Sequence, residues 1–121
     1  MDRRIRRIVA LLEEKWRTPV SLRELAQRVG LGPSRLEHLF KNHAKVTIRE
    51  FVRERRLAAA ADLLAATEDR VSTICRSVGF NDISNFNHAF KRRFGVCPRA
   101  YRELAGSGDG KSDQENREPT K

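Results

Sequence analysis

The sequence predicts an all-α protein of two helix-turn-helix subdomains joined by a long central helix, about seven helices in all. Three observations predict it. A motif occurs twice: Leu25-Ala26-Gln27-Arg28-Val29-Gly30-Leu31 returns as Ile74-Cys75-Arg76-Ser77-Val78-Gly79-Phe80, at an offset of 49. The offset then becomes 50, and Ser34, Leu36, His38, Phe40, Lys41, Val46, Arg49 and Phe51 return as Ser84, Phe86, His88, Phe90, Lys91, Val96, Arg99 and Tyr101. Between the repeats, residues 48–66 hold apolar positions at helical spacing with the run Ala58 to Ala61.

Residues 4–16 place Ile5, Ile8, Val9, Leu12 and Trp16 on one stripe of an amphipathic helix, with arginines outside it. Thr18-Pro19 ends that helix. Ser21-Leu22-Arg23-Glu24 fits a capping box, in which hydroxyl and carboxylate each accept from the other residue's amide. The short helix it opens runs to about Val29, and Gly30 supplies the positive φ of a tight helix end. Pro33 suits the first position of the next helix. There Leu36, Leu39 and Phe40 face inward, leaving Ser34, Arg35, Glu37, His38 and Lys41 outward.

The central helix, from Ile48 to Ala66, is roughly 28 Å long at 1.5 Å per residue. The second subdomain starts near Val71-Ser72 and turns at Gly79. Asn81 or Asp82 caps its second helix. Phe86, Ala89 and Phe90 face inward, and Ile83, Ser84, Asn85, Asn87, His88 and Lys91 outward. Cys97-Pro98 opens a last short helix through Tyr101 and Leu104. The domain boundaries expected are 1–67 for the first helix, first unit and linker helix, 68–104 for the second unit, and 105–121 for a disordered tail rich in Gly, Ser and charge.

Charge follows the folding pattern. Residues 1–104 carry 22 Lys+Arg against 12 Asp+Glu, and residues 105–121 carry 3 against 4. A polyanion balances such a surface, either nucleic acid or an anionic membrane; the plainer alternative is a solvated Arg-rich face. A helix-turn-helix lays its second helix in the major groove of DNA, and two copies make two reading heads. Cys75 takes the packed position of Ala26, and Cys97 that of Thr47 before a helix start. These are places for a core filler and a cap substitute, with no spacing for a metal or a disulfide. No apolar stretch is long enough to span a membrane or serve as a signal peptide, so the expected location is the reducing cytoplasm. No nucleophile–base pair, phosphate loop or metal cluster points to an enzyme, and no cofactor is expected.

The chain resembles the DNA-binding domain of the AraC/XylS family of bacterial transcription regulators. The resemblance covers residues 4–104. It is carried most by Val78-Gly79-Phe80, Ser84, Phe86, Phe90, Lys91, Arg93, Phe94, Gly95, Pro98 and Tyr101-Arg102. Leu25-Ala26, Gly30, Leu36, Phe40-Lys41, Arg56-Leu57, Ala60 and Leu63-Leu64 add to it. It implies that both recognition helices enter successive major grooves on one DNA face. The base-reading positions it implies are Ser34, Glu37 and His38 in the first unit, and Ile83, Ser84, Asn85, Asn87 and His88 in the second. Three positions depart from the family pattern: Lys45 stands where glycine is usual, Ile48 where proline is usual, and Arg55 where an apolar residue is common. The first two suggest a less sharply ended first recognition helix.

Arg35, Lys41, Lys91, Arg92 and Arg93 are the phosphate-binding candidates; such contacts give affinity and salt dependence. His38 and His88 hold equivalent places and can donate to guanine or phosphate. Glu37 either accepts from a cytosine amino group or pairs with Lys41 one turn on. Asn85 and Asn87 lie about 200° apart, so one of them, Asn85, is favoured for reading adenine. Ile83 can pack on a thymine methyl or on its own cap. For Arg56 a structural ion pair is favoured over DNA. The expected partners are double-stranded DNA, bound as a monomer on an asymmetric site, and RNA polymerase as a second candidate, with no membrane. The competing function is non-specific, architectural DNA binding. The chain is either a one-domain regulator or the DNA-binding part of a longer protein.

Overall fold

Apolar residues recur every three or four positions along nearly the whole chain, and the helices form where they do. The computed structural model of the protein describes residues 2–110. Over them run α1 (Arg3–Lys15), α2 (Leu22–Arg28), α3 (Pro33–Ala44), α4 (Ile48–Ala66), α5 (Val71–Ser77), α6 (Ile83–Phe94) and α7 (Pro98–Gly110). No strand occurs among the described residues.

The chain divides into two compact units after Arg56, inside α4 and not at its end. Ile48 and Val52 of α4 join the core of unit 1, with Ile5, Ile8 and Leu12 of α1, Ala26 of α2, and Leu36 and Phe40 of α3. From Leu57 onward the buried residues belong to unit 2: Leu57, Ala60, Ala61, Leu64, Ile74, Cys75, Val78, Phe86 and Phe90. One helix thus supplies the last wall of one core and the first wall of the next.

The repeated glycine turn has the same construction in both units. The amide of Gly30 donates to the Gln27 carbonyl (3.2 Å) and that of Leu31 to Ala26 (2.9 Å). In unit 2, Gly79 donates to Arg76 (3.1 Å) and Phe80 to Cys75 (3.0 Å). This is the paired bonding that closes a helix on a left-handed residue, and both glycines have positive φ (71° and 105°). Cys75 is buried beneath the turn, where burial pushes its thiol pKa up.

Helix starts account for the other boundaries. Ser21 accepts from the Glu24 amide (3.2 Å), as its capping box predicts. The complete reciprocal box lies elsewhere. At the head of α4 the Thr47 hydroxyl accepts from the Glu50 amide (3.0 Å), and Glu50 accepts from the Thr47 amide (2.9 Å). That bond holds the Glu50 carboxyl below its ordinary pKa. The matching position before α7 is Cys97, which is exposed. At α6 the cap is Asp82, accepting from the amides of Ser84 (2.9 Å) and Asn85 (3.2 Å). Helix α7 continues through Gly110, six residues past its expected end at Leu104, with Ala105 half-buried; the Gly-Ser-Gly-Asp-Gly sequence itself gives no local reason for the extension. The remainder of the expected tail, 111–121, lies outside the described residues.

The end of α3 is sharp despite its departure from the family pattern. Lys45 adopts φ 69° and donates to the Lys41 carbonyl (2.9 Å), as Gly95 does at φ 86° to Lys91 (2.7 Å). A side chain in the left-handed region costs about 1–2 kcal/mol, partly offset because lysine has less unfolded-state entropy to lose than glycine. Lys45→Gly is therefore expected to stabilise the protein by about 0.5–1 kcal/mol, read as a higher thermal midpoint. An unchanged or lower midpoint would show that Lys45 carries no strain.

Candidate nucleic-acid interface

Each unit presents one helix whose inner side is fixed by phenylalanine and whose outer side is polar. In α3, Leu36 and Phe40 are fully buried, while Ser34, Arg35, His38 and Lys41 are exposed and Glu37 is half-buried. Ser34, Glu37, His38, Lys41 and Asn42 line one open concavity, walled by Leu22, Pro33 and Thr47. The structure thus brings together all three base-reading candidates of the first unit with one phosphate candidate. Arg35 is exposed on the same helix but does not line the concavity. Asn42 lines the concavity without being one of the sequence candidates. A signal existed, because the offset of 50 places Asn42 opposite Arg92.

In α6, Phe86 and Phe90 are fully buried, and Ile83, Ser84, Asn85, Asn87, His88, Lys91, Arg92 and Arg93 are exposed. At about 100° per residue, Ser84, Asn85, His88, Lys91 and Arg92 share one arc of about 120°. Asn87 and Ile83 lie outside it, by about 40° and about 80°, towards the half-buried Phe94. Ile83 is 41% exposed in the first turn of α6. The Arg93 guanidinium stacks over the Phe94 ring, 4.7 Å from its centre.

Electrostatics suit an anionic ligand. The basic residues Lys41, Lys91, Arg92 and Arg93 sit in the last turns of α3 and α6, where the helix dipole favours them. At the other end, the first turns of both helices hold no acidic residue.

Two arginines set the recognition motif on its supporting helix, and among the described residues neither reaches a carboxylate. Arg56 donates from Nε to the Trp16 carbonyl (2.8 Å) and from Nη2 to that of Thr18 (3.0 Å). Arg102 does the same in unit 2, to the carbonyls of Leu64 (3.1 Å) and Asp69 (2.6 Å). The expected ion pair at Arg56 is thus a grip on backbone oxygens. Burial pulls the Arg56 pKa down from its ordinary value. The ion pair belongs to its neighbour: Arg55 grips Glu13 with both arms and lies 4.8 Å from the Phe51 ring centre. That pairing lowers the Glu13 pKa and explains why an arginine is tolerated at a position where apolar residues are common.

Known proteins share this sequence pattern and this fold. Residues 25–104 match the helix-turn-helix domain family. The chain is 33% identical over 102 residues to the transcriptional activator RhaS of Escherichia fergusonii, covering 84% of this chain and 37% of that protein. It is 31% identical over 103 residues to the arabinose operon regulatory protein of Escherichia coli, covering 84% and 35%. The chain therefore spans about a third of the length of the curated relatives it matches. Among solved structures, the DNA-binding domain of AdpA in complex with a target DNA superposes with a TM-score of 0.78, at 20% identity, covering 90% of this chain and 96% of that one. Among the described residues no helix is long and apolar enough to cross a membrane. With the double motif, the ordered matches and the fold in agreement, the chain belongs to the AraC/XylS family of helix-turn-helix transcription regulators.

Proposed function

We propose that this chain binds double-stranded DNA at a specific, asymmetric site as a monomer, in the cytoplasm, and so regulates transcription, with RNA polymerase as its protein partner there. Helices α3 and α6 are the reading elements, each entering a major groove, in succession along the duplex. The observation that carries this reading is the recurrence of one outward set. Ser34, His38 and Lys41 in unit 1 have Ser84, His88 and Lys91 in unit 2, all exposed on a helix whose back is closed by phenylalanine. Around that shared frame the two units differ, Arg35 against Asn85 and Glu37 against Asn87, so the two half-sites differ too. No chemical step is assigned to the protein; its work is recognition.

The phosphate contacts fall to Arg35, Lys41, Lys91, Arg92 and Arg93, and the base contacts to Ser34, Glu37, His38, Ile83, Ser84, Asn85, Asn87 and His88. Selection of bound sequences from a random DNA pool tests the proposal. One asymmetric consensus is expected, whereas a flat outcome with steep salt dependence would favour an architectural binder. Asn85→Ala is expected to cost about 1–3 kcal/mol on the selected site and to relax choice at one base pair. Equal weakening on every sequence would remove Asn85 from the readout.

A further inference from the structure

We infer that Glu37 is a cytosine selector, giving the half-site read by α3 a cytosine that the α6 half-site lacks. This deepens the DNA-binding reading above and rests on it. The sequence left two roles open for Glu37, a base contact or an ion pair with Lys41 four residues on. Among the described residues its carboxylate takes no hydrogen bond or ion pair, although Lys41 lines the same concavity. The acceptor is therefore uncommitted within its own fold. It is also half-buried among Ser34, His38, Asn42 and the apolar wall of Leu22 and Pro33, which limits the directions in which it can be satisfied.

A carboxylate only accepts hydrogen bonds. In the major groove, guanine offers the acceptors N7 and O6, and thymine offers O4, so lone pairs oppose lone pairs at both. Adenine offers the N6 amino group, but its N7 acceptor lies beside it, facing the second carboxylate oxygen. Cytosine offers the N4 amino group with C5–H beside it on its own base, so only the guanine O6 across the pair adjoins it, whereas the adenine amino group has an acceptor on both sides. A negative charge also gains nothing from a phosphate, so Glu37 cannot serve as a positioning contact in the way its lysine neighbour can. In unit 2 the matching residue is Asn87, whose amide both donates and accepts and carries no such exclusion.

The test uses the full chain and pool selection on wild type and two variants, with binding measured on single-base changes of the wild-type site. Wild type is expected to require cytosine at one pair in one half-site, losing about tenfold in affinity when it is replaced. Glu37→Gln keeps the shape and adds a donor, so adenine becomes the preferred base at that pair, through N6 and N7, with other positions unchanged. Asn87→Glu is expected to create a cytosine preference in the other half-site. If wild type selects a clear site but Glu37→Gln changes affinity uniformly and no base preference moves, Glu37 is not a selector, while the DNA-binding reading stands. If wild type selects no site, both fall.

Discussion

Phe90→Ala is expected to destabilise unit 2 by about 3–5 kcal/mol and, with it, to abolish specific DNA binding. Phe90 is fully buried and sits at the centre of an aromatic cluster. Its ring centre lies 4.6 Å from Phe94, 5.8 Å from Phe86 and 5.4 Å from Tyr101, the last edge-on at 83°. Truncation removes the rings' mutual packing as well as the buried area, and α6 and α7 lose the residue that joins them. Small domains have only about 5–15 kcal/mol in all, so this loss takes much of what holds the unit. Functionally, Phe90 lies on the back of the helix that carries Asn85 and His88; without it their directions are not fixed. Amide hydrogen exchange reads the effect locally. Protection should fall in α5, α6 and α7, with α1–α3 as the internal reference. Equal loss in α1–α3 would show that the two units unfold as one, and unchanged protection in α6 would overturn the assignment of Phe90 as its anchor.

The features legible in the sequence are those with a period or a fixed local signature. Phenylalanine and leucine at helical spacing located α3, α4 and α6, and the two glycines located their turns. The repeat register also shows which side chains face outward, because equivalent positions in α3 and α6 share one buried side. What escaped depends on groups distant in the chain or on backbone geometry. Arg56 and Arg102 make equivalent grips, yet they do not align in the repeat: with the offset of 50, Arg102 falls on Val52, one helical turn before Arg56. Two residues one turn apart share a helix face, so either register can reach the same carbonyls, and a linear comparison cannot see it. Lys45 escaped for a different reason. A left-handed lysine is disfavoured locally, and only the surrounding packing with its bond to the Lys41 carbonyl holds it there.

Arg56→Met is expected to cost unit 1 about 3 kcal/mol, a large loss for a side chain that contacts neither the reading face nor a charged partner. Methionine keeps the apolar stem and removes the five donors, so the comparison isolates the hydrogen bonds. Helix α1 ends at Lys15, and its last carbonyls have no partner within the helix. Thr18 serves the Lys15 carbonyl through both its amide (3.0 Å) and its hydroxyl (2.9 Å). The Trp16 and Thr18 carbonyls are left to Arg56, and its charge strengthens each bond against a helix C-terminus. Removing it uncovers a carbonyl in a partly buried site and frees the 16–21 segment that leads into α2. Arg56→Lys is expected to recover less than half of the loss, since an ammonium cannot present two donors in the plane of the guanidinium fork. Denaturant unfolding of the three proteins measures the series. If lysine restored full stability, charge at the helix end would be the operative feature and the bidentate geometry incidental. With the fork required, the helix-turn-helix of unit 1 is aimed from behind by a residue of α4, and DNA affinity should fall in step with the stability of the α1–α2 connection.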